Sequence, residues 1–160
     1  MFQSAAIVVQ EQFGRKLAGE YGATKLSLSV LPFMTLSVPT NLRPDDFRPR
    51  PKVPTAILHV RRREESKLDW SDRRLYWLFV NYLFEQGRPA VADSIRPLGL
   101  RRLPPSLKHA AVRDLRVQDV VTLFEYVRAR GQTGIDKLAA FDRSIALRRR
   151  LTIGPTAKPQ

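Results

Sequence analysis

The chain is predicted to be α+β and predominantly α-helical: a single small domain with short N-terminal strands, an extended Pro/Arg-rich arm and a C-terminal helical region. Three observations carry that expectation. Residues 24–38 alternate apolar and polar side chains, residues 40–54 are broken up by proline, and from residue 66 onward apolar residues recur at helical spacing. At 160 residues the chain has material for one ordinary core.

Phe2, Ala5, Ala6, Val9, Phe13 and Leu17 recur at helical intervals, so residues 2–18 are predicted to form an amphipathic helix, closed by Gly19 and Gly22. Segment 1–20 then reads as a docking or targeting element. With Arg15 and Lys16 on an amphipathic helix it resembles a mitochondrial presequence, whereas Glu11 and Glu20 are acids that such peptides avoid. Residues 21–63 follow as short strands plus the arm. Leu26, Leu28, Val30, Met34, Leu36 and Val38 share one parity, and Ser27, Ser29, Thr35 and Ser37 the other. Period two predicts half-buried strand, split at Pro32, and Thr55–Arg61 is a further strand candidate.

Between these strands Pro44, Pro49, Pro51 and Pro54 hold residues 40–54 out of helix and bias them to extended backbone. This stretch carries Arg43, Arg48, Arg50 and Lys52 around Phe47. It suits an arm laid along phosphates or a neighbouring subunit, with a solvated linker and a PxxP-type ligand as the competing readings.

Residues 64–150 read as a helical region. Ser66 and Asp69 suit a capping box for a helix running to about Gln86. That helix is apolar almost all round, so Tyr76, Trp77, Val80 and Phe84 are candidate protein-interface residues. Gly87 stops it, and a short helix follows before Pro97. Another short one is predicted at about 105–113, a stronger one at 116–130, and a last one from a Thr133 cap with Asp136, using Ile135, Leu138, Phe141 and Ile145. Residues 151–160 read as a flexible tail.

Charge dominates the functional reading. Lys and Arg number 28 against 15 Asp and Glu, a net +13, and 21 of the 28 are arginine. Arginine pairs bidentately with phosphate and stacks on bases, which suits RNA; GC-rich codon usage is the competing explanation of the bias. The candidate RNA-binding residues are Arg43, Arg48, Arg50 and Lys52 in the arm, Arg61, Arg62 and Arg63 after the third strand, Arg101 and Arg102 in a Pro-flanked loop, and Arg148, Arg149 and Arg150 at a helix end.

No chemistry nominates itself. There is no cysteine, and His59 and His109 lie in no metal-ligand spacing. Asp45-Asp46 and Glu64-Glu65 sit beside basic runs, which reads as ion pairing. No Walker loop, G-x-G-x-x-G or G-x-S-x-G occurs. Gly131-Gln-Thr-Gly134 has the spacing of a KH loop but also of a tight helix–helix turn. The expected protein is therefore non-catalytic, without cofactor or metal and without a transmembrane span. The first expectation is a structural RNA-binding subunit of a ribonucleoprotein, a mitochondrial ribosomal protein bound to rRNA and neighbouring subunits. The second is an accessory subunit of a mitochondrial membrane complex, meeting its subunits or anionic lipid. The third is a helix-turn-helix DNA binder over residues 70–100. A mitochondrial, matrix-side location is favoured over a cytoplasmic one.

Overall fold

The computed structural model describes residues 2–100 and 102–152, and side chains as far as residue 144. Its elements are β1 (Ser4–Gln10), α1 (Glu11–Ala18), α2 (Lys25–Val30), β2 (Met34–Leu42), β3 (Thr55–Arg62), α3 (Arg73–Glu85), α4 (Val91–Ile95), α5 (Val117–Ala129) and α6 (Gln132–Thr152). Short 3-10 turns lie between them. The strands make a three-stranded sheet in the order β1-β3-β2. Both outer strands run antiparallel to β3, so β1 and β2 are parallel to each other and end at the same side of the sheet.

The N-terminal third differs from the expectation in two places. The predicted helix over 2–18 is a strand followed by a helix. Ala5-Ala6-Ile7-Val8-Val9 is a continuous apolar run with three β-branched residues, which favours the pleated conformation. Helical spacing in so short a run cannot distinguish the two. The presequence reading of residues 1–20 loses the helix on which it stood. Conversely, Lys25–Val30 alternates like a strand but folds as α2. Thr24 caps it, its hydroxyl accepting from the Ser27 amide at 3.1 Å, and the Ser27 hydroxyl accepts from the Thr24 amide at 2.7 Å.

Pro32 follows α2 and has no N–H, so the Leu28 carbonyl lacks its usual helical donor. The Tyr76 hydroxyl, from the middle of α3, donates to that carbonyl at 3.0 Å inside the core. The segment between α2 and β2 is clamped in the same way. The amides of Arg63 and Lys67 donate to the carbonyls of Phe33 and Pro32, and the Ser66 hydroxyl also donates to Pro32. Ser66 is thus not the expected helix cap; Asp69 instead accepts from the Ser71 amide at 2.8 Å, capping a 3-10 turn ahead of α3. These contacts join the sheet to the helices.

α3 is the hub of the helical part. Tyr76, Phe79, Val80 and Leu83 are buried at 0–1% exposure, wrapped by α2, α4, α5 and α6. Two of the four interface candidates, Tyr76 and Val80, are therefore this chain's own core. Phe84 is half-buried against that core, and Trp77 alone stands exposed. A helix apolar all round is buried on all sides, and here the chain supplies the wrapping itself. Aromatic rings run through the centre: Phe33 meets Trp70 and Tyr76 edge-on, and Tyr76 meets Phe124 at 5.3 Å.

α5 and α6 stand close to where the periodicity placed them. Gly131, at φ 72°, ends α5, and the Gly134 position in α6 has Val127 Cγ1 only 3.0 Å from where a Cβ would stand. The Gly-x-x-Gly sequence is thus a helix turn followed by a close helix crossing, with neither glycine arranged as a KH loop. The stretch predicted helical at 105–113 forms only two 3-10 turns, at 105–107 and 112–114. α4 has five residues, too short for the recognition helix a helix-turn-helix requires.

Candidate nucleic-acid interface

β1 and β2 end at Gln10 and Leu42, and β3 starts at Thr55 on the same side. The arm, residues 43–54, spans that end of the sheet. A 3-10 turn at Pro44–Asp46 opens it, with the Asp46 carboxylate accepting from the Arg43 amide at 2.9 Å. Its far end is tied to the start of α1, where the Glu11 amide donates to the Pro54 carbonyl at 2.9 Å. Arg50 is ion-paired with Asp45, while Arg48 and Lys52 are exposed with no partner among the described residues. Phe47 lies half-buried among them.

Behind the arm is a polar network absent from the sequence reading. Arg15 Nε donates to Glu11 at 2.9 Å and Arg15 Nη1 to Glu20 at 2.7 Å, while the Asn41 amide donates to the same Glu11 oxygen at 3.0 Å. The Arg15 hydrogen bond, then that of Asn41, holds the Glu11 carboxyl below its ordinary pKa. Arg15, with its hydrogens taken by Glu20 and Glu11, titrates above the ordinary arginine range. The network fastens the end of β2 to α1. Arg15 is therefore committed to the fold, and the free cations of this end are in the arm.

The arginine triplet lies at the opposite end of β3, about 23 Å away by strand rise. Its members part company. The Arg63 guanidinium donates to the Leu31 carbonyl at 2.8 Å and anchors the sheet to α2. Arg62 lies over the Trp70 ring at 4.9 Å, and Arg73 approaches the same ring at 5.5 Å. Arg61 is exposed with no partner among the described residues. Arg61, Arg62, Arg63 and Trp70, with Phe2, Gln3 and Asp69, line a cleft of about 1020 Å³.

Arg102 lines a second cleft, of about 820 Å³, together with Arg96, Lys108 and Lys137. Lys137 sits forty residues from Pro97, whose carbonyl it reaches at 2.6 Å, so no local pattern announces this cluster. Arg101 and the side chains of Arg148, Arg149 and Arg150 lie outside the described residues. The expected RNA-binding set thus divides among three places. Only the arm stands at the end of the sheet where parallel strands finish, and in open α/β sheets ligands bind at that end. His59 and His109 are both exposed, and no group of acids and histidines able to hold a metal occurs among the described residues. No helix among them is long and apolar enough to cross a membrane.

Known proteins resemble this arrangement. The structure aligns with that of the 23S rRNA methyltransferase ErmE at TM-score 0.57 and 24% identity, over 79% of this chain and 55% of that one. It aligns with a dimethyladenosine transferase from Plasmodium falciparum at TM-score 0.64 and 16% identity, over 82% of this chain and 59% of the other. The fold is accordingly a portion of a Rossmann-like methyltransferase fold, and this corrects the expected small, mainly helical domain. Among curated sequences, the rRNA adenine N-6-methyltransferase of Saccharopolyspora erythraea is 31% identical over 112 residues, 69% of this chain and 29% of its own length. The ribosomal RNA small subunit methyltransferase A of Clostridium acetobutylicum is 23% identical over 132 residues, 78% of this chain and 47% of its own length. The chain thus spans less than half the length of these relatives. The sequence profile of the family described as ribosomal RNA adenine dimethylase matches residues 1–129. That match overturns the non-catalytic ribosomal subunit, the membrane-complex subunit and the DNA binder expected from composition, and with them the expectation that no enzyme is involved: the chain belongs to the ribosomal RNA adenine dimethylase family.

Proposed function

We propose that this chain is the RNA-facing portion of an rRNA adenine methyltransferase, and that it engages rRNA phosphates through the arm at residues 43–54. The supporting observation is the placement of Arg48 and Lys52: exposed, without partners among the described residues, beyond the ends of two parallel strands in a chain of this family. Structured RNA crossing from the arm to Arg61 would follow the strand direction along the sheet, and its phosphates would meet cations at both ends.

A methyltransferase also needs a methyl donor, and the described residues do not fit one. The Gly-rich strand-to-helix turn that cradles a nucleotide in Rossmann-type sheets has no counterpart here. At the only direct strand-to-helix junction among the described residues, Gln10 passes to Glu11 without glycine, and the adjoining space is taken by the Glu11–Arg15–Asn41 network. Within this reading, the chain contributes RNA binding and the donor is held by residues outside it.

RNA binding tests the proposal. Affinity for an rRNA fragment, measured by filter binding across a salt series, is expected to fall linearly on logarithmic axes. Arg48→Ala and Lys52→Ala are each expected to lower the slope by about one. Salt-independent binding, or slopes unchanged by both variants, would overturn the arm as the RNA contact.

A further inference from the structure

The two ends of the arm are held unequally by the sheet. At its far end Thr55 pairs with Gln10 of β1 as well as with Leu42 of β2, and the Pro54 carbonyl accepts from the Glu11 amide at 2.9 Å. Its near end follows a break. Pro39 lies within β2, and the pairing of β2 with β3 is irregular between Ser37 and Thr40. Only Thr40, Asn41 and Leu42 carry the ladder on from there to the arm. So short a stretch of ladder beyond an irregularity is weak, because a bulge bends its strand and breaks the run of backbone bonds. The near end therefore needs a tie from outside the sheet.

The side chain of Asn41 supplies it. Its Nδ2 donates to Glu11 Oε1 at 3.0 Å, and its Oδ1 accepts from Arg15 Nη2 at 3.4 Å. Glu11 and Arg15 stand one turn apart on α1 and are bonded to each other at 2.9 Å, with Glu20 holding Arg15 from the other side at 2.7 Å. A carboxylate only accepts and a guanidinium only donates. A primary amide offers one group of each kind, so Asn41 bridges the pair in a single orientation. Aspartate in its place would lack the donor, and an apolar residue would lack both. Thr40, exposed on the same short stretch, makes no side-chain hydrogen bond among the described residues.

We infer that Asn41 is a positioning residue for the arm: by bridging Glu11 and Arg15 it fixes the end of β2 against α1, and so sets where Arg48 and Lys52 meet RNA phosphates. The first half rests on the geometry of Asn41 alone; the second rests on the proposed RNA-facing reading. Phosphates follow one another at a fixed spacing, so cations on a swinging arm lose freedom when they engage, and cations on a fixed arm have little left to lose. Asn41 is neutral. Its replacement leaves the net charge at +13 and the long-range attraction for RNA unchanged, and a loss of affinity then reports position instead of charge.

The test compares Asn41→Ala with Thr40→Ala, first without RNA and then with it. In the chain alone, Asn41→Ala is expected to speed amide hydrogen exchange across residues 40–54 by about tenfold, leaving residues 34–37 and the melting temperature as they were. Against an rRNA fragment it is expected to lower affinity about fivefold. That loss should vanish in an Arg48→Ala/Lys52→Ala background, where the arm has nothing left to position, and should persist in full beside Arg61→Ala. Thr40→Ala should do none of this. Unchanged exchange across residues 40–54, an equal effect of Thr40→Ala, or an affinity loss that survives the Arg48→Ala/Lys52→Ala background would overturn the inference. Exchange that quickens as expected, with RNA affinity indifferent to Arg48→Ala, Lys52→Ala and Asn41→Ala alike, would count against the proposed function alone.

Discussion

The helical part and the sheet part of this molecule solve burial differently. Around α3 the apolar surface closes on itself: Phe79, Val80, Val120 and Phe124 are all at 0% exposure, in a cluster that also takes in Leu28 and Phe33 from the N-terminal half. In the sheet one face lies under α1, the other is bare, and β1 leaves Ile7 and Val8 about half exposed. The cations do not divide this way. Arg74 and Arg128 on the helices and Arg15 and Arg50 beside the sheet all have acidic partners, while Arg48, Lys52 and Arg61 have none among the described residues. Burial is most complete among the helices, and the half-exposed apolar strand lies in the sheet.

Truncating an apolar side chain in each region gives the sharpest contrast. Phe124→Ala is expected to destabilise the chain by about 3–5 kcal/mol in urea unfolding, because it removes ring contacts to Tyr76 and Phe79 that nothing can replace. Val8→Ala is expected to stay within about 0.5 kcal/mol of wild type. A Val8→Ala cost comparable to that of Phe124→Ala would mean that β1 is already covered.

Between these extremes lie two changes at the joints. Tyr76→Phe leaves the Leu28 carbonyl buried with neither its helical donor nor the hydroxyl, for a loss of about 1–3 kcal/mol by the same measurement. Gly134→Ala forces α6 away from Val127, whose side chain and carbonyl stand 3.0 and 3.1 Å from the new Cβ. Its expected cost is about 1–3 kcal/mol, and thermal melts that leave it neutral would show that the α5–α6 crossing relaxes freely.

The smallest effect belongs to the junction between the sheet and α1. The Glu11 carboxyl is depressed below its ordinary 4.5 by Arg15 and Asn41. A depressed carboxyl stabilises the fold above its unfolded pKa, and that contribution disappears as pH falls through the lower folded value. Melting temperature should therefore decline below about pH 4.5, and Glu11→Gln should flatten part of that decline. An unchanged acid limb would show that the network does not couple to folding.

Legibility followed the same division. α5 and α6 were readable because Val120, Phe124 and Val127, then Leu138 and Phe141, keep one helical face over many residues, and Gly131 marks the turn. The N-terminal third was misread in both directions. Ala5–Val9 is short enough to fit two periods, and Leu26–Val30 alternates yet is overruled by its Thr24–Ser27 cap. The arm was legible from its prolines and cations but not in its bounds: of the expected residues 40–54, Thr40, Asn41 and Leu42 pair with β3 as the end of β2, and only residues 43–54 span the end of the sheet. The Trp70 stacking, the Glu11–Arg15–Asn41 network and the cleft of Arg96, Arg102, Lys108 and Lys137 were not legible, because their members come from separate segments of the chain.

By itself the sequence determined local things: a strong positive charge, an arm that cannot be helix, helices that stop at Gly87 and Gly131, and the absence of a Gly-rich nucleotide turn. Composition and backbone preference act within a few residues, so one dimension suffices for them. Only the tertiary structure decided that α3 is wrapped by its own chain, that one arginine of the 61–63 triplet is an anchor while another is exposed, and that Asn41 bridges Glu11 and Arg15 behind the arm. Those outcomes depend on which surfaces meet, and long-range burial has no signature in any single stretch of sequence.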